Sequence, residues 1–436
     1  MRVSFLIILA ALGLAFYAKG ARVYFTDQPA GGPGYLVSVA PNGTDQQTVT
    51  IVSNAPDLRG VAFHRASGRI YYLDNGTAKR IYSILPDGSD QQETVPVSAT
   101  LINSDLEIDE GNGKIYWSES NAGTTGNAFI RRANLNGTDA EPVITTAPGV
   151  MTSPYFFFLD SAEGYIYWGV LSSGSVSSSF RRATFAGEID ETFLITSPTR
   201  TRDIAVDAAS GTAYWCDRQT GNVYKRPLSG GANQILIGGM NAPHGIALDL
   251  EAGKIYWADT GARGNPPSGL SPRRVARCNL DGSEFENLST PLVDSEPWDL
   301  ALDLRSPTYD DWRARFFSVN TPDAGPEDDA DGDGAKNLLE YAMGTHPRRA
   351  SSRPAIALAG TSVKYIRRIG SELQYRVEVS TSLPAFQYNG DDGGLVWTIE
   401  TSATPVNEDL ELVSVTPGPA LATASNVFFR VRASLP

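Results

Sequence analysis

An aromatic pair, followed in most copies by an acidic residue, recurs six times in this chain, and a repeat of that kind restricts the fold more than any other feature. The fullest copy is KIYWADTG, Lys254 to Gly261. The others are RVYFTD from Arg22, RIYYLDNG from Arg69, KIYWSES from Lys114, YIYWGVL from Tyr165 and TAYWCDR from Thr212. The aligned tyrosines Tyr24, Tyr71, Tyr116, Tyr167, Tyr214 and Tyr256 are separated by 47, 45, 51, 47 and 42 residues. Shortly before each later tyrosine lies an apolar run ending in Asp or His, and one more such run closes the series. These runs are RGVAFH (59–64), SDLEID (104–109), YFFFLD (155–160), RDIAVD (202–207), HGIALD (244–249) and WDLALD (298–303).

A third run follows each aromatic pair and leads to a turn with Gly at one aligned place, Gly43, Gly88, Gly137, Gly187, Gly230 and Gly282. Four of these turns read Asn-Gly or Asp-Gly, which predicts two-residue hairpins with positive φ at both central positions. A fourth short run, such as TVTI (48–51) or QILI (234–237), completes a four-stranded antiparallel meander. A period near ~45 residues with four strands per unit predicts a β-propeller. Side chains alternate along a strand, so Tyr256 and Trp257 should face opposite sides of one blade. The first copy starts at a second strand and the last run is a first strand. Pairing the two ends would close the ring and remove its exposed edges. The expected fold is all-β: a six-bladed β-propeller closed by its N- and C-terminal strands, a short helical calcium-loop linker and a small C-terminal β-sandwich.

The units resemble the YWTD repeats of the low-density-lipoprotein-receptor family, which form six-bladed propellers. The resemblance covers residues 21–306. It rests on the aromatic pairs and on the acidic residue after them, present as Asp27, Asp74, Glu119, Asp217 and Asp259. The fourth copy, Tyr167-Trp168-Gly169-Val170, departs from it, and His64 stands where the other first strands end in Asp. The resemblance implies a protein-binding module without catalysis.

Residues 1–20 hold a basic start, an apolar run from Val3 to Tyr17 and the small residues of a cleavage site. This predicts a secretory signal peptide rather than a membrane span, which needs about 20 apolar residues. The expected product is secreted, extracellular or at the cell surface, with a periplasmic location also open, and with no integral membrane segment after signal removal. A formal net charge of −13 argues against nucleic-acid binding. Cys216 and Cys278 are one blade apart and could pair after export. Four Asn-x-Ser/Thr sequons occur, at Asn42, Asn75, Asn136 and Asn287. Asn42 and Asn136 already have a sufficient role as turn residues.

The period stops near Ser306. In the stretch 307–350, YDDWRARFFSV predicts a short amphipathic helix with Trp312, Phe316 and Val319 on one face. The run DADGDGAKNLLE, Asp329 to Glu340, then fits a calcium loop by position. Asp329, Asp331 and Asp333 stand at one, three and five, Gly334 at six, the Ala335 carbonyl at seven, Asn337 at nine and Glu340 at twelve. The cofactor expected is one calcium ion in a structural role, because a lone loop lacks the partner hand of a sensor. Prolines replace the usual entering helix, so the loop is more similar to the single loops of dockerin-type bacterial modules. Residues 351–436 alternate apolar and polar residues in six short runs, which predicts the sandwich. This C-terminal region resembles those of exported bacterial proteins.

No nucleophile elbow, zinc helix or phosphate loop occurs. The remaining candidate site is the mouth of the channel, at the starts of the innermost strands. Alignment puts Arg59, Tyr155, Arg202, His244 and Trp298 at one level, and Asp105, Asp203 and Asp299, on alternate blades, at the next. Aromatics and arginines suit an interface hot spot, so the leading expectation is a non-catalytic module, monomeric, whose loop face contacts an extracellular protein or glycan. One alternative is a lactonase- or lyase-type enzyme with a metal on the three aspartates, against which stands a simple rim salt-bridged by Arg59 and Arg202. Another is a passive cell-surface scaffold.

Overall fold

A computed structural model describes residues 21–29, 32–53, 57–120, 127–146, 154–171, 178–190, 193–197, 200–261, 273–289, 296–306, 308–352, 354, 356–359, 362–369, 371–380, 387–389, 398–407, 409–421 and 427–435. The expected leader, residues 1–20, lies outside them. Six four-stranded antiparallel sheets account for the repeats. Their innermost strands are Leu58–His64, Ile102–Asp109, Pro154–Asp160, Thr201–Asp207, Pro243–Asp249 and Pro297–Asp303. The last of these pairs with Arg22–Asp27, in register Arg22↔Asp303 and Tyr24↔Ala301, so strands from the two ends of the series share one blade.

The aromatic pair splits between neighbours as a pleated strand requires. Tyr256 packs with Val23, Val37 and Leu300 on one side of its blade. Trp257 packs with Tyr214, Cys216 and Val223 on the other. Each core cluster therefore belongs to a boundary between blades, the arrangement that makes isolated units unstable. Cys216 and Cys278 lie buried in one such cluster as free thiols.

The hairpins differ from the two-residue form. Gly43 donates its amide to the Ala40 carbonyl at 2.8 Å, and Ala40 donates to the Thr44 carbonyl at 2.9 Å. The same pair of bonds recurs at Leu85–Ser89, Asn134–Thr138, Thr184–Glu188 and Asn279–Ser283. These are three-residue loops in which the glycine alone takes positive φ. Asn or Asp precedes Gly because its side chain accepts the amide two residues on, as from Asn42 to Thr44 and from Asn136 to Thr138. The glycine has a second reason. A Cβ on Gly137 would sit 2.0 Å from the Thr94 carbonyl of the preceding blade, and one on Gly88 2.4 Å from that of Val49.

His64 fits the place of an aspartate because it makes the same turn. Asp160, Asp207 and Asp249 each accept the amide three residues on. His64 does so through Nδ1, from Ser67 at 3.3 Å.

Helix α1, Tyr309–Phe316, carries a capping box between Thr308 and Asp311. It ends sooner than the pattern suggested. Trp312 and Phe316 are buried, but Val319 lies past the end and is exposed. The buried Arg277 guanidinium stops the helix by donating to the carbonyls of Ala314, Arg315 and Phe317. Helix α2, Asn337–Met343, closes on a left-handed Gly344. Beyond it, a four-stranded sheet carries Val363, Tyr365, Val413 and Val415, and a two-stranded pair, Gln374–Ser380 with Phe428–Ser434, carries Val377, Phe429 and Val431. The two sheets and Met343 of α2 share one core.

This C-terminal region sits where the innermost strands finish. Arg315 forms a buried bidentate pair with Asp249, at 2.7 and 2.8 Å. Arg348 pairs with Glu284 at 2.7 Å, and Arg65 pairs with Asp409. These contacts leave the opposite end, where the innermost strands begin, away from the C-terminal region. No helix among the described residues is long and apolar enough to cross a membrane.

Candidate functional site

The five side chains expected at the channel mouth do come together, and they do so by closing it. Arg59 donates to the Tyr155 hydroxyl at 2.6 Å, pairs with Asp57 at 2.9 Å and lies 4.7 Å from the Trp298 ring centre. His244 and Trp298 rings are 4.1 Å apart, and the Arg202 guanidinium lies 5.3 Å over Tyr155. His244 is fully buried, and Trp298 is 7% exposed. The mouth residues therefore form an interlocked plug, and His244 and Trp298 serve mainly to pack it rather than to present free surface.

Charge in the plug is unbalanced. Arg202 is 5% exposed, its Nε lacks a hydrogen-bond partner, and no carboxylate pairs with it among the described residues. Burial pulls its pKa down to about 10; Tyr155 opposes this, while Arg218, Arg200 and Arg59 add to it. Burial works against ionising the Tyr155 phenol, but Arg59 and Arg202 outweigh it and hold the phenol below its ordinary value. A desolvated cation among other cations is a place where an incoming anion gains most.

One level down, the three aspartates accept backbone amides, and among the described residues no arginine pairs with them. Asp105 accepts the amides of Leu106 at 2.8 Å and Phe157 at 2.7 Å. Asp203 accepts those of Ile204 at 2.8 Å and Ile246 at 2.9 Å. Asp299 accepts that of Val61 at 2.9 Å. In each case one bond crosses to the next blade. The innermost strands carry a bulge just here, which frees these amides from the ladder. Two of the positions between the aspartates are Gly60 and Gly245, and a Cβ on Gly245 would lie 2.5 Å from Asp299 Oδ1. Burial raises the pKa of all three carboxyls, that of Asp105 to about 7.

Below this level the channel opens into a cavity of about 280 Å³, lined by Glu107, Asp203 and Asp299 and otherwise by apolar groups. Glu107 did not stand out in the sequence. The signal for it was available, as the sole charge at a position that is Ala or Phe in the other five innermost runs.

In the acidic loop, ligand atoms of Asp329, Asp331 and Asp333 lie within 4.8 Å of one another, the only such trio among the described residues. Asp329 Oδ1 and Oδ2 shape the loop by accepting the amides of Gly332 and Gly334 at 2.8 and 2.9 Å. Glu340 is fully buried and neither of its oxygens accepts a hydrogen bond. Burial, with Asp331, Asp333 and Asp329, pushes its pKa up to about 8. Such a set suits a hard cation. Asn337 departs from the expected pattern. Its amide donates to the carbonyls of Asp323 and Gly325, both at 2.9 Å, and so ties the loop to the preceding turn.

No protein-family model matches the chain. The low-density lipoprotein receptor-related protein 1 of Pyricularia oryzae is 26% identical over 244 residues, covering 50% of this chain and 77% of that protein. The low-density lipoprotein receptor-related protein 5-like protein of Homo sapiens is 31% identical over 144 residues, covering 33% of this chain and 52% of that protein. The chain thus spans about half the length of the human relative. Among solved structures, a chain of the nidogen/laminin complex matches with a TM-score of 0.51 at 14% identity, over 66% of this chain and 100% of that one. TolB from Acinetobacter baumannii matches with a TM-score of 0.51 at 15% identity, over 65% and 66%. The chain is therefore similar in sequence to low-density-lipoprotein-receptor-related proteins, and its fold is that of a β-propeller.

Proposed function

We propose that this protein is a secreted or surface-exposed, non-catalytic binding module whose propeller end opposite the C-terminal region contacts an extracellular protein or glycan through acidic groups. The observation that carries this reading is Arg202, a buried guanidinium without a carboxylate, placed at the mouth beside Arg59, Arg200 and Arg218 in a chain of net charge −13. Similarity to receptor-related proteins, and to a chain crystallised in a nidogen/laminin complex, supports protein binding. The C-terminal region contacts the rim of the other end at Asp249 and Arg65, which favours the mouth as the contact face.

The test uses exposed Arg200 and half-buried Lys79, which lie at the mouth end outside the plug. Binding of the intact protein to extracellular proteins and to acidic glycans is measured against the variant R200E/K79E by biolayer interferometry at two salt concentrations. The reading expects binding that weakens with salt and falls roughly tenfold or more in the variant. Equal binding by wild type and a folded variant overturns it.

The acidic loop is proposed to hold one structural calcium ion on Asp329, Asp331, Asp333, the Ala335 carbonyl and Glu340. The buried Glu340 carboxyl without a hydrogen bond supports this. Helix α2 follows directly from the loop and packs Tyr341 against Trp312 and Tyr309. The ion would therefore stiffen the junction between propeller and C-terminal sheets.

A further inference from the structure

The cavity inside the ring has a chemistry of its own, independent of the mouth. At one channel-facing level the six innermost strands carry Ala62, Glu107, Phe158, Ala205, Ala247 and Ala301. Ala62, Ala247 and Ala301 leave space, and Glu107 lines it with them. Among the described residues no hydrogen bond or ion pair engages the Glu107 carboxyl, whereas Asp203 and Asp105 are each held by two backbone amides. Burial pushes Glu107 well above the usual carboxylate range, with Asp105 and Asp299 adding to it.

The other residues that line it have apolar side chains. Phe63, Ile108, Leu248 and Leu302 form the wall, and Leu304 and Leu250 stand toward the end where the innermost strands finish. Leu250 is 43% exposed, which marks the open side, while the plug of Arg59, Tyr155 and Trp298 closes the other. Among the described residues no Lys, Arg or His lines the cavity. Glu107 is half-buried, and ionising a carboxyl among apolar side chains is costly unless a cation and hydrogen-bond donors reach it. Asp203 already accepts two backbone amides and Asp299 one, so Glu107 is the carboxyl left for a guest.

We propose that this cavity binds a small organic ammonium ion, its head meeting Glu107 beside Asp203 and Asp299 and its apolar body lying among the leucines toward the open end. An ammonium supplies three donors to acceptor groups that have none to spare for one another. The cavity of about 280 Å³ lies just below the range of about 300–1,000 Å³ usual for drug-sized ligands, so the guest is small.

The experiment is isothermal titration calorimetry of the full-length protein with n-hexylammonium, and with n-hexanol and hexanoate as controls, near pH 6. The amine should bind in preference to both controls. Binding should release a proton as Glu107 ionises, read from the dependence of the heat on buffer ionisation enthalpy. Glu107→Gln should weaken the amine roughly tenfold or more and abolish the proton release. Ala247→Leu, which fills the cavity without touching Glu107, should also weaken binding, and R200E should leave it intact. Hexanol binding as tightly as the amine, unchanged binding by Glu107→Gln, or no amine binding by protein shown to be folded by circular dichroism would each overturn the proposal. Because R200E separates the two ends, failure here is distinct from failure of the mouth reading.

Discussion

Asp299 Oδ2 accepts the Val61 amide at 2.9 Å across 238 positions of sequence. The bond joins the blade built from both ends of the repeat series to the blade that follows it. Asp299→Ala leaves the Val61 amide buried and unpaired, and should cost about 1–3 kcal/mol in urea denaturation. Gly245→Ala drives a methyl to 2.5 Å from Asp299 Oδ1 and 2.7 Å from its Cα, for a similar loss of about 1–3 kcal/mol. The double variant should lose less than the sum, because removing the carboxylate relieves part of the clash. Additive losses would show that the two residues do not meet.

Arg315 and Asp249 are essentially without exposure and share a bidentate pair. Arg315→Met leaves Asp249 charged and buried, a change that typically costs about 3–5 kcal/mol. The expected outcome is separation of one thermal transition into two, with new proteolysis in the linker near residues 318–328. A single unshifted transition would refute a role for this pair in docking the C-terminal region.

Removing calcium should loosen the same junction. Excess EGTA should lower the thermal midpoint of the full-length protein by several degrees, and Asp331→Ala should reproduce that midpoint with no further response to EGTA. For a ligand at 100 times its dissociation constant, the stability at stake is about 2.7 kcal/mol. An Asp331→Ala protein that still responds to EGTA would remove the ion from this loop.

The channel acids set a pH dependence of definite sign. Glu107, Asp105, Asp203 and Asp299 are all raised on folding, mainly by burial. The native protein therefore holds protons that the unfolded chain releases above about pH 4. Their contribution to stability falls as pH rises from there toward the native values, with Asp105 near 7. Asp249 runs the other way: burial opposes its charge, Arg315 outweighs burial, and its contribution is lost only as acid protonates it. Glu107→Gln should thus gain on wild type by up to about 1.4 kcal/mol per pH unit between about pH 5 and 7. Parallel stability curves would show that Glu107 is not held neutral.

Cys216 and Cys278 are buried free thiols, and burial pushes Cys278 up to about 12 and Cys216 well above its usual value. Neither should react with Ellman's reagent in the native protein, both should react in denaturant, and reducing agent should leave the thermal midpoint unchanged. A midpoint that drops on reduction would reveal a disulfide.

The six-blade count, the ring closure and the split of each Tyr-Trp pair between neighbours were legible from the sequence, because strand pleat and repeat period are local properties that the residue pattern records directly. The aligned glycines were legible as turns, but their second role was not. That Gly137 lies against the Thr94 carbonyl depends on how one blade docks on the previous one. The mouth residues were brought to one level by alignment, yet only the tertiary structure decided that Arg59 would bond Tyr155, that His244 and Trp298 would stack beside them, and that Arg202 would lack a counter-charge among the described residues. The same holds for Asp105, Asp203 and Asp299. Their spacing left open a salt-bridged rim or a shared ion, and only the tertiary structure showed that bulges in the innermost strands present amides that these carboxylates accept. Helix α1 stops at Phe316 because Arg277, thirty-nine positions upstream, takes its carbonyls. What the sequence alone determined is periodic and local; what the tertiary structure decided is which polar groups find partners, because that depends on distances set by closing the ring.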